Sequence, residues 1–306
     1  MKKTNIDFTG KFPMTSVFSV LLVISSLALF FTKGMVYGVD FRGGAEIQVK
    51  FKQDVAAKEL RSSLSDAGFK GASVVSIGLP EDHEYLIKVK ASNENLNKVS
   101  TEIAQTMTSK FADKGVEIRK TDIVGPKAGA ELRNSGFQAM LWALLAIMIY
   151  VGLRFDFKYS PGAVVALFHD VLIIIGIFSL TNKEFTLQIV AALLAVIGYS
   201  VNDTVVVYDR VREHEEKYAG VNLKTHINKA LNETLSRTLI TSATTFFVAG
   251  SMFLFGGTTI HDFFFVISLG VIIGTYSSIF VAAPATLLVE RLMNGSSVQG
   301  KAVKSS

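Results

Sequence analysis

Cysteine is absent from this chain of 306 residues, and only five prolines and one tryptophan are present. Without cysteine the protein has no disulfide, no thiolate metal site and no cysteine nucleophile. It also lacks a glycine-rich P-loop of the kind that binds nucleotide phosphates. We therefore expect no enzymatic activity, no metal and no cofactor.

Charged residues are missing from long parts of the chain, where apolar residues take their place. Hydrophobic residues make up 49% of the sequence, and the mean hydropathy is +0.39. A bilayer core of about 30 Å is crossed by a helix of about 20 apolar residues. Six runs approach this length, at residues 14–31, 137–153, 162–180, 187–208, 239–255 and 263–289. The sequence therefore predicts an α-helical membrane protein with transmembrane helix 1 at 14–33 and, after a soluble segment, a five-helix transmembrane domain at 137–290.

Lysine and arginine are concentrated on one predicted side of the membrane. They occur in the N-terminal segment 1–13, in the loop 209–238 and in the tail 291–306, whereas the two short loops of the opposite side share one lysine. Short basic loops stay in the cytoplasm, so both termini are predicted to be cytoplasmic and segment 34–136 to be periplasmic. The net charge of +5 lies beside apolar runs and no RNA-binding motif is present, so nucleic acid is not an expected partner.

Three smaller features complete this organisation. The residues before position 34 form a poor signal-peptidase site, which favours an uncleaved first helix. Segment 221–236 has leucines on one face and lysines among its polar positions, which predicts an amphipathic helix on the membrane or against a partner. Pro284 is expected to kink the sixth span, and the small polar residues of the tail predict disorder.

The soluble segment has its own pattern of strands and helices. Predicted strands lie at 45–51, 73–79, 84–90 and 116–124. One predicted helix is capped by Asp54 and has Leu60 and Leu64 on its inner face. A second has apolar residues at spacings of three and four between Leu96 and Phe111. The order β-α-β-β-α-β predicts a ferredoxin-like α+β domain, a fold that by itself assigns no function.

The fourth span contains an acidic residue, Asp203, within the stretch GYSVNDTVVVYDR. A charged side chain at the centre of a span costs about 2.5–3.5 kcal/mol, so it normally faces a partner or a water-filled path. A carboxyl group there can bind and release a proton or another cation. We favour such an ion relay, with hydrogen bonding between helices as the alternative. Asn202, Thr204 and Tyr199 lie close by on the same helix and are interpreted as supporting hydrogen-bond partners.

Arg237, at the start of the fifth span, is the candidate charge partner of Asp203. An arginine in this position often only extends its side chain to the membrane interface, and that alternative stays open. Thr241, Thr244 and Thr245 continue a polar stripe into the helix, which suits a partner helix or a wet path. Asp203 and Arg237 would then be a charge pair whose strength depends on protonation.

His169 and Asp170 are neighbours in the third span. Adjacent residues of a helix point about 100° apart, which disfavours a shared ligand, and too few other metal ligands are present for a metal site. Buried hydrogen bonding between helices is the simpler interpretation. A second relay station is the alternative, because histidine titrates near neutral pH.

Four segments together resemble the SecD/SecF family of bacterial protein-export membrane proteins, which belongs to the RND superfamily of transporters. They are residues 198–213, the stretch GVDFRGG at 38–44, the stretch VGP with its continuation at 124–132, and His169-Asp170. The resemblance is to the SecF side of the family and covers nearly the whole chain except the polar tail. It implies half of an RND-type transporter, with one span, an exterior domain and then five spans.

The resemblance also implies partners and a role. Family members of this type pair with SecD to form SecDF and work with the SecYEG channel, the SecA motor and often YajC. They use the proton or sodium gradient to help the translocating preprotein across the bacterial inner (cytoplasmic) membrane, in contact with membrane lipid. The family's membrane-embedded aspartate and arginine match Asp203 and Arg237. The alternatives are a stand-alone ion-driven RND-type exporter of small molecules and a passive membrane scaffold.

Overall fold

The computed structural model describes residues 5–77, 80–90, 96–155 and 157–302. Its α-helices are α1 (Phe12–Lys33), α2 (Val39–Arg42), α3 (Ala57–Asp66), α4 (Leu96–Lys110), α5 (Pro126–Arg154), α6 (Ser160–Thr181), α7 (Leu187–Lys217), α8 (Leu223–Phe255), α9 (Thr258–Ser277) and α10 (Ala283–Ala302). Its strands are β1 (Val36–Tyr37), β2 (Gly44–Lys50), β3 (Ser73–Ile77), β4 (Glu84–Lys90), β5 (Glu117–Val124) and β6 (Glu184–Phe185). Within these residues six helical segments are long and apolar enough to cross a membrane, in the predicted one-plus-five order.

The soluble segment folds as the predicted ferredoxin-like domain. Its four strands lie in the order β3-β4-β2-β5, and every neighbouring pair is antiparallel. Alternate residues of β2, including Ile47 and Val49, point into a core that is shared with α3 and α4. Leu60 and Leu64 of α3 are fully buried in it, as the sequence pattern indicates. The alternation of apolar residues in the strands and their three-four spacing in the helices therefore identify which residues the sheet and the helices contribute to this core.

Local boundaries differ from the expected ones. Helix α3 starts after Ala56 and has no side-chain cap, so Asp54 is not its cap. The cap was assigned from residue type alone, and the chain enters the helix two residues later than that assignment requires. Strand β3 ends at Ile77, and residues 78–79, which were expected to continue it, lie outside the described residues.

The helix that contains the second span begins well before residue 137, because α5 already starts at Pro126. The last part of segment 34–136 is therefore helical and continuous with that span. Gly43 allows a close approach at this point, since it has a φ of +78° and an added Cβ would lie 2.8 Å from the Pro126 backbone. Glycine adopts this conformation without strain, and so α2 can pack directly against the start of α5.

The predicted cytoplasmic loop 209–238 is mostly helical. Helix α7 continues to Lys217, and α8 begins at Leu223 and runs without interruption into the fifth span. The apolar face of the amphipathic segment is buried, but it packs on the helical bundle and on Phe8 instead of lying on the membrane or awaiting another chain. The chain's own N-terminal residues thus cover that face, and no helix breaker separates the segment from the span.

The sixth span contains a π turn, Ser278–Ala282, between α9 and α10. Pro284 follows the turn and has no N–H with which to continue a regular helical ladder, so the expected kink takes this form. Helix α10 then continues to Ala302, and disorder of the tail 291–306 stays a prediction. No proline after Pro284 interrupts the helix. Residues 303–306 lie outside the described residues.

The ferredoxin-like domain contacts the loop between α6 and α7. Strands β1 and β6 pair in parallel, and the Lys88 Nζ lies 2.5 Å from the Glu184 Oε2. The carboxylate of Asp40 accepts a hydrogen bond of 2.9 Å from the backbone N–H of Leu187, at the first residue of α7. The domain is thus attached to the beginning of the helix that carries Asp203.

Candidate ion-relay site

Asp203 lies on the inward face of α7 and is 4% exposed. Its Oδ2 atom is buried and has no hydrogen-bond partner among the described residues. The hydroxyl of Ser242, on α8, lies beside the carboxylate. Buried polar atoms normally have partners, and an uncompensated buried charge is strongly destabilising. This carboxyl group is therefore a place where a proton or cation would bind favourably.

Arg237 is exposed on α8, and its positive charge acts on the Asp203 carboxylate. Within the described part of the chain the two side chains do not form an ion pair at 4.0 Å or less. The structure thus places the predicted pair in one neighbourhood without direct contact. An arginine that is close to a carboxylate but not in direct contact with it can stabilise the ionised form without blocking the oxygen that would take up the ion.

A polar cavity of about 520 Å³ lies at the basic end of the bundle, next to this pair. Its charged and polar lining residues are Arg154, Asn202, Asp209, Arg210, Glu213, Glu233, Thr234 and Arg237. The Arg210 Nε lies 2.6 Å from the Glu233 Oε2, which fixes one wall. Since Asn202 and Arg237 belong to the lining, the cavity brings solvent close to Asp203.

His169 and Asp170 form a second buried polar cluster, in α6. The His169 Nδ1 lies 3.0 Å from the Asp170 Oδ1, and the two side chains are 4% and 1% exposed. The other carboxylate oxygen, Oδ2, accepts hydrogen bonds from Ser200 at 2.6 Å and from Ser277 at 2.8 Å. Asp170 thus links three spans, which agrees with hydrogen bonding between helices. The Nε2 atom of His169 is buried without a partner among the described residues.

Ser200, Ser242 and Ser277 were not among the predicted site residues. Ser200 precedes Asp203 by less than one helical turn and lies in the same quoted stretch, so its shared face was readable from the sequence. Ser242 accepts a hydrogen bond from the Tyr199 hydroxyl at 3.2 Å and lies 2.6 Å from the Thr275 hydroxyl. Contacts of this kind between distant spans have no local sequence signal.

The remaining predicted residues divide into two groups. Tyr199 contacts the site through Ser242, and Asn202 lines the cavity. In contrast, the hydroxyl of Thr204 donates to the Ser200 carbonyl oxygen at 3.4 Å, and that of Thr241 to the Arg237 carbonyl oxygen at 3.1 Å. These hydroxyls donate within their own helix, and the supporting role of Thr204 and Thr241 stays a prediction.

Two family models match the chain. The model described as protein export membrane protein SecD/SecF, C-terminal, matches residues 103–292, and the SecD/SecF GG motif matches residues 28–55. The protein translocase subunit SecF of Calditerrivibrio nitroreducens is 41% identical over 94% of this chain and 95% of its own length. That of Magnetococcus marinus is 44% identical over 95% of this chain and 94% of its own length.

Solved structures of SecDF are also similar. The crystal structure of SecDF, a translocon-associated membrane protein from Thermus thermophilus, is 31% identical, with a TM-score of 0.81 over 94% of this chain. SecDF in a super-membrane-facing form is 30% identical, with a TM-score of 0.72 over 98% of this chain. The chain spans 39% and 41% of those two proteins, so each of them contains a large further part.

Six candidate spans, a ferredoxin-like domain and buried carboxylates define a multi-pass helical membrane protein, and the names of its relatives place it among inner-membrane transport proteins. The comparisons narrow this class, because they cover nearly the whole chain and both of its folded parts. The chain belongs to the SecD/SecF family of protein-export membrane proteins.

Proposed function

We propose that this chain is the SecF-type half of a SecDF complex and uses an ion gradient to promote protein export through SecYEG. In this proposal Asp203 takes up the ion and Arg237 modulates its affinity. Moving one charge across a membrane at 100 mV releases about 2.3 kcal/mol, which can drive a change in helix packing. The chain makes and breaks no covalent bond in this role.

The observation that carries the proposal is the Asp203 Oδ2 atom, which is buried beside a polar cavity and has no hydrogen-bond partner within the described ranges. A carboxylate that only joins helices would have its oxygens occupied, as those of Asp170 are. Because α7 begins at the contact with the ferredoxin-like domain, a shift of α7 would reach that domain directly. Through this contact, ion binding at Asp203 could change the position of the ferredoxin-like domain on the side where the exported chain emerges.

A partner of the SecD type is supported by the surface of α7 and α8. Asn202 and Thr244 are exposed within predicted spans, and Arg237 is exposed at the start of the fifth span. Polar side chains at such depth normally face protein or a water-filled cavity instead of lipid. A helical partner that covers this face would complete the cavity, and the SecDF structures contain the additional chain length that it requires. SecA, SecYEG and YajC are the proposed further partners.

The proposed orientation places both termini in the cytoplasm and the ferredoxin-like domain in the periplasm. Its support is the excess of lysine and arginine on one side of the bundle, at the start of α1, the C-terminal end of α7 and the first part of α8. The polar cavity then opens toward the cytoplasm, where a bound ion would be released.

The test is export in inverted membrane vesicles with the chain in its complex, under an imposed H⁺ or Na⁺ gradient. We expect Asp203→Asn to lose most of the gradient-dependent export while SecA-dependent export without a gradient persists. Glu216→Gln, an exposed change on the same helix, serves as the control. The gradient that stimulates the unmodified protein identifies the ion. Unchanged gradient dependence in Asp203→Asn rules the relay out.

A further inference from the structure

A second cavity, of about 410 Å³, forms a groove between α1 and α10. Its lining is mostly apolar and includes Phe12, Val20, Val165, Phe280 and Leu288. Lys224 and Arg291 also line it. An apolar groove at membrane depth is filled by lipid chains, and cations at one of its ends give a preference for a particular headgroup.

The groove results from the irregular backbone of the sixth span. The π turn at Ser278–Ala282 widens the helix, and Pro284 follows it. Ser16 on α1 and Ala285 on α10 line the groove, and their small side chains leave it deep enough for an acyl chain. From Phe280 to Arg291 the helix rises about 16 Å at 1.5 Å per residue. That length is close to one leaflet of a bilayer core of about 30 Å.

The charges at the basic end of the groove favour an anion. Lys224 and Arg291 are exposed, and in the described ranges neither has a carboxylate within 4.0 Å. Lys224 lies in the first turn of α8, whose N-cap is Asn222, so the positive end of the helix dipole adds to its charge.

Three acidic groups lie near this end of the groove. Glu215 and Glu290 line the adjoining cavity, and the Lys158 Nζ pairs with the Glu215 carboxylate at 2.9 Å. Asp7 lies within range of the Lys224 charge, but its carboxylate accepts hydrogen bonds from the Gly10 N–H at 2.8 Å and the Thr9 hydroxyl at 3.0 Å. Lys158 pairs with Glu215, and Lys11 as well as Lys224 acts on Asp7, so these cations together with Arg291 and the helix N-terminus outnumber the carboxylates and the end of the groove remains basic.

We propose that this groove binds one anionic phospholipid, with an acyl chain between α1 and α10 and its phosphate between Lys224 and Arg291. Basic pockets between membrane helices are the usual binding sites for anionic headgroups. The lipid joins the first span, the sixth span and the start of α8, the helix that also carries Arg237. It therefore fixes α1, which lies in the membrane with few buried residues, to the bundle.

Lipid binding can be measured by native mass spectrometry on the full chain purified with its complex partner. The probes are phosphatidylglycerol and phosphatidylcholine, added at equal concentrations, with inorganic phosphate as a competitor. We expect phosphatidylglycerol to bind preferentially and inorganic phosphate not to displace it. The Lys224→Gln/Arg291→Gln variant should lose about tenfold or more in affinity for phosphatidylglycerol. Both changes are on exposed side chains, so folding is retained.

Two further variants separate the groove from general surface charge. Arg212→Gln/Lys217→Gln removes equal charge from the end of α7 and should leave the affinity unchanged. Ala285→Trp fills the groove with both cations intact and should also abolish the preference.

Several results would overturn the proposal. They are equal affinity for the two lipids, an equal loss in the α7 control, or displacement by inorganic phosphate alone. Retained binding in a folded Ala285→Trp protein contradicts the groove. Binding to the isolated chain but not to the complex shows that a partner helix occupies the groove instead.

Discussion

Two buried aspartates on neighbouring spans have opposite surroundings. Asp170 is held by His169, Ser200 and Ser277, so both of its oxygens are occupied. Asp203 has one oxygen without a partner among the described residues and lies beside a polar cavity. Burial alone therefore does not distinguish these two carboxylates, whereas the occupancy of their oxygens does. Substitutions in each of the two surroundings test this distinction.

Asp170→Ala should have the largest effect on stability. It leaves the hydroxyls of Ser200 and Ser277 and the ring of His169 without their common partner, and loss of one member of a buried charged network costs about 3 kcal/mol or more. Asp203→Ala should cost much less, because the carboxylate has few bonds to lose. Unfolding of the two purified variants in detergent by a denaturant series checks this. Equal losses would remove the distinction between the two sites.

Arg237→Met should lower gradient-dependent export severalfold without loss of protein from the membrane. Its charge acts on Asp203, and methionine keeps the apolar stem but not the charge. Arg237→Lys, which keeps the charge, should retain part of the activity. Vesicle assays with immunoblots for protein level distinguish these outcomes. Normal export by Arg237→Met would mean that Arg237 only anchors α8 at the interface.

The sequence predicts the six spans and the ferredoxin-like domain because both are encoded in local periodicity. Apolar runs specify the spans, and alternation in β2 together with three-four spacing in α4 specifies the domain core. Asp203 is also evident, since a carboxyl group within an apolar run is costly wherever it faces.

The contacts of the two aspartates could not be predicted in the same way. Whether Asp170 or Asp203 has satisfied oxygens depends on serines that are distant in sequence, such as Ser277, which lies beside a π turn. The sequence predicts the amphipathic helix at 221–236 but not the packing of its apolar face on the chain's N-terminal residues, which is also a contact between distant parts of the chain. Tertiary contacts outweigh local composition in both cases.

Ser277→Ala should destabilise the protein by about 1–2 kcal/mol, since it removes one of the donors to the Asp170 carboxylate. Ser251→Ala is the matched control, because the Ser251 hydroxyl is exposed and donates only to the Phe247 carbonyl oxygen of its own helix. We expect the control to lie within about 0.5 kcal/mol of the unmodified protein. A Ser277→Ala protein as stable as this control would show that the Asp170 cluster tolerates an open position as Asp203 does.

The smallest effect is expected at Glu46, which extends the comparison to a half-buried carboxylate outside the membrane. Burial is the main cause that raises the pKa of Glu46 above its ordinary value of 4.5, the charge of Lys88 opposes the rise, and Asp40 and Glu184 add to it. The folded state therefore holds the proton more tightly than the unfolded chain, and stability falls as pH rises above 4.5 through the raised pKa.

Glu46→Gln removes this dependence. The variant should equal the unmodified protein below pH 4.5 and exceed its stability at pH 7 to 8 by less than about 1 kcal/mol. Thermal unfolding of both proteins across this pH range checks the sign, with the exposed Glu117→Gln as the control. A lower stability of Glu46→Gln at neutral pH would mean that Glu46, like Asp170, is satisfied by its partners, so that the attraction of Lys88 outweighs the cost of burial.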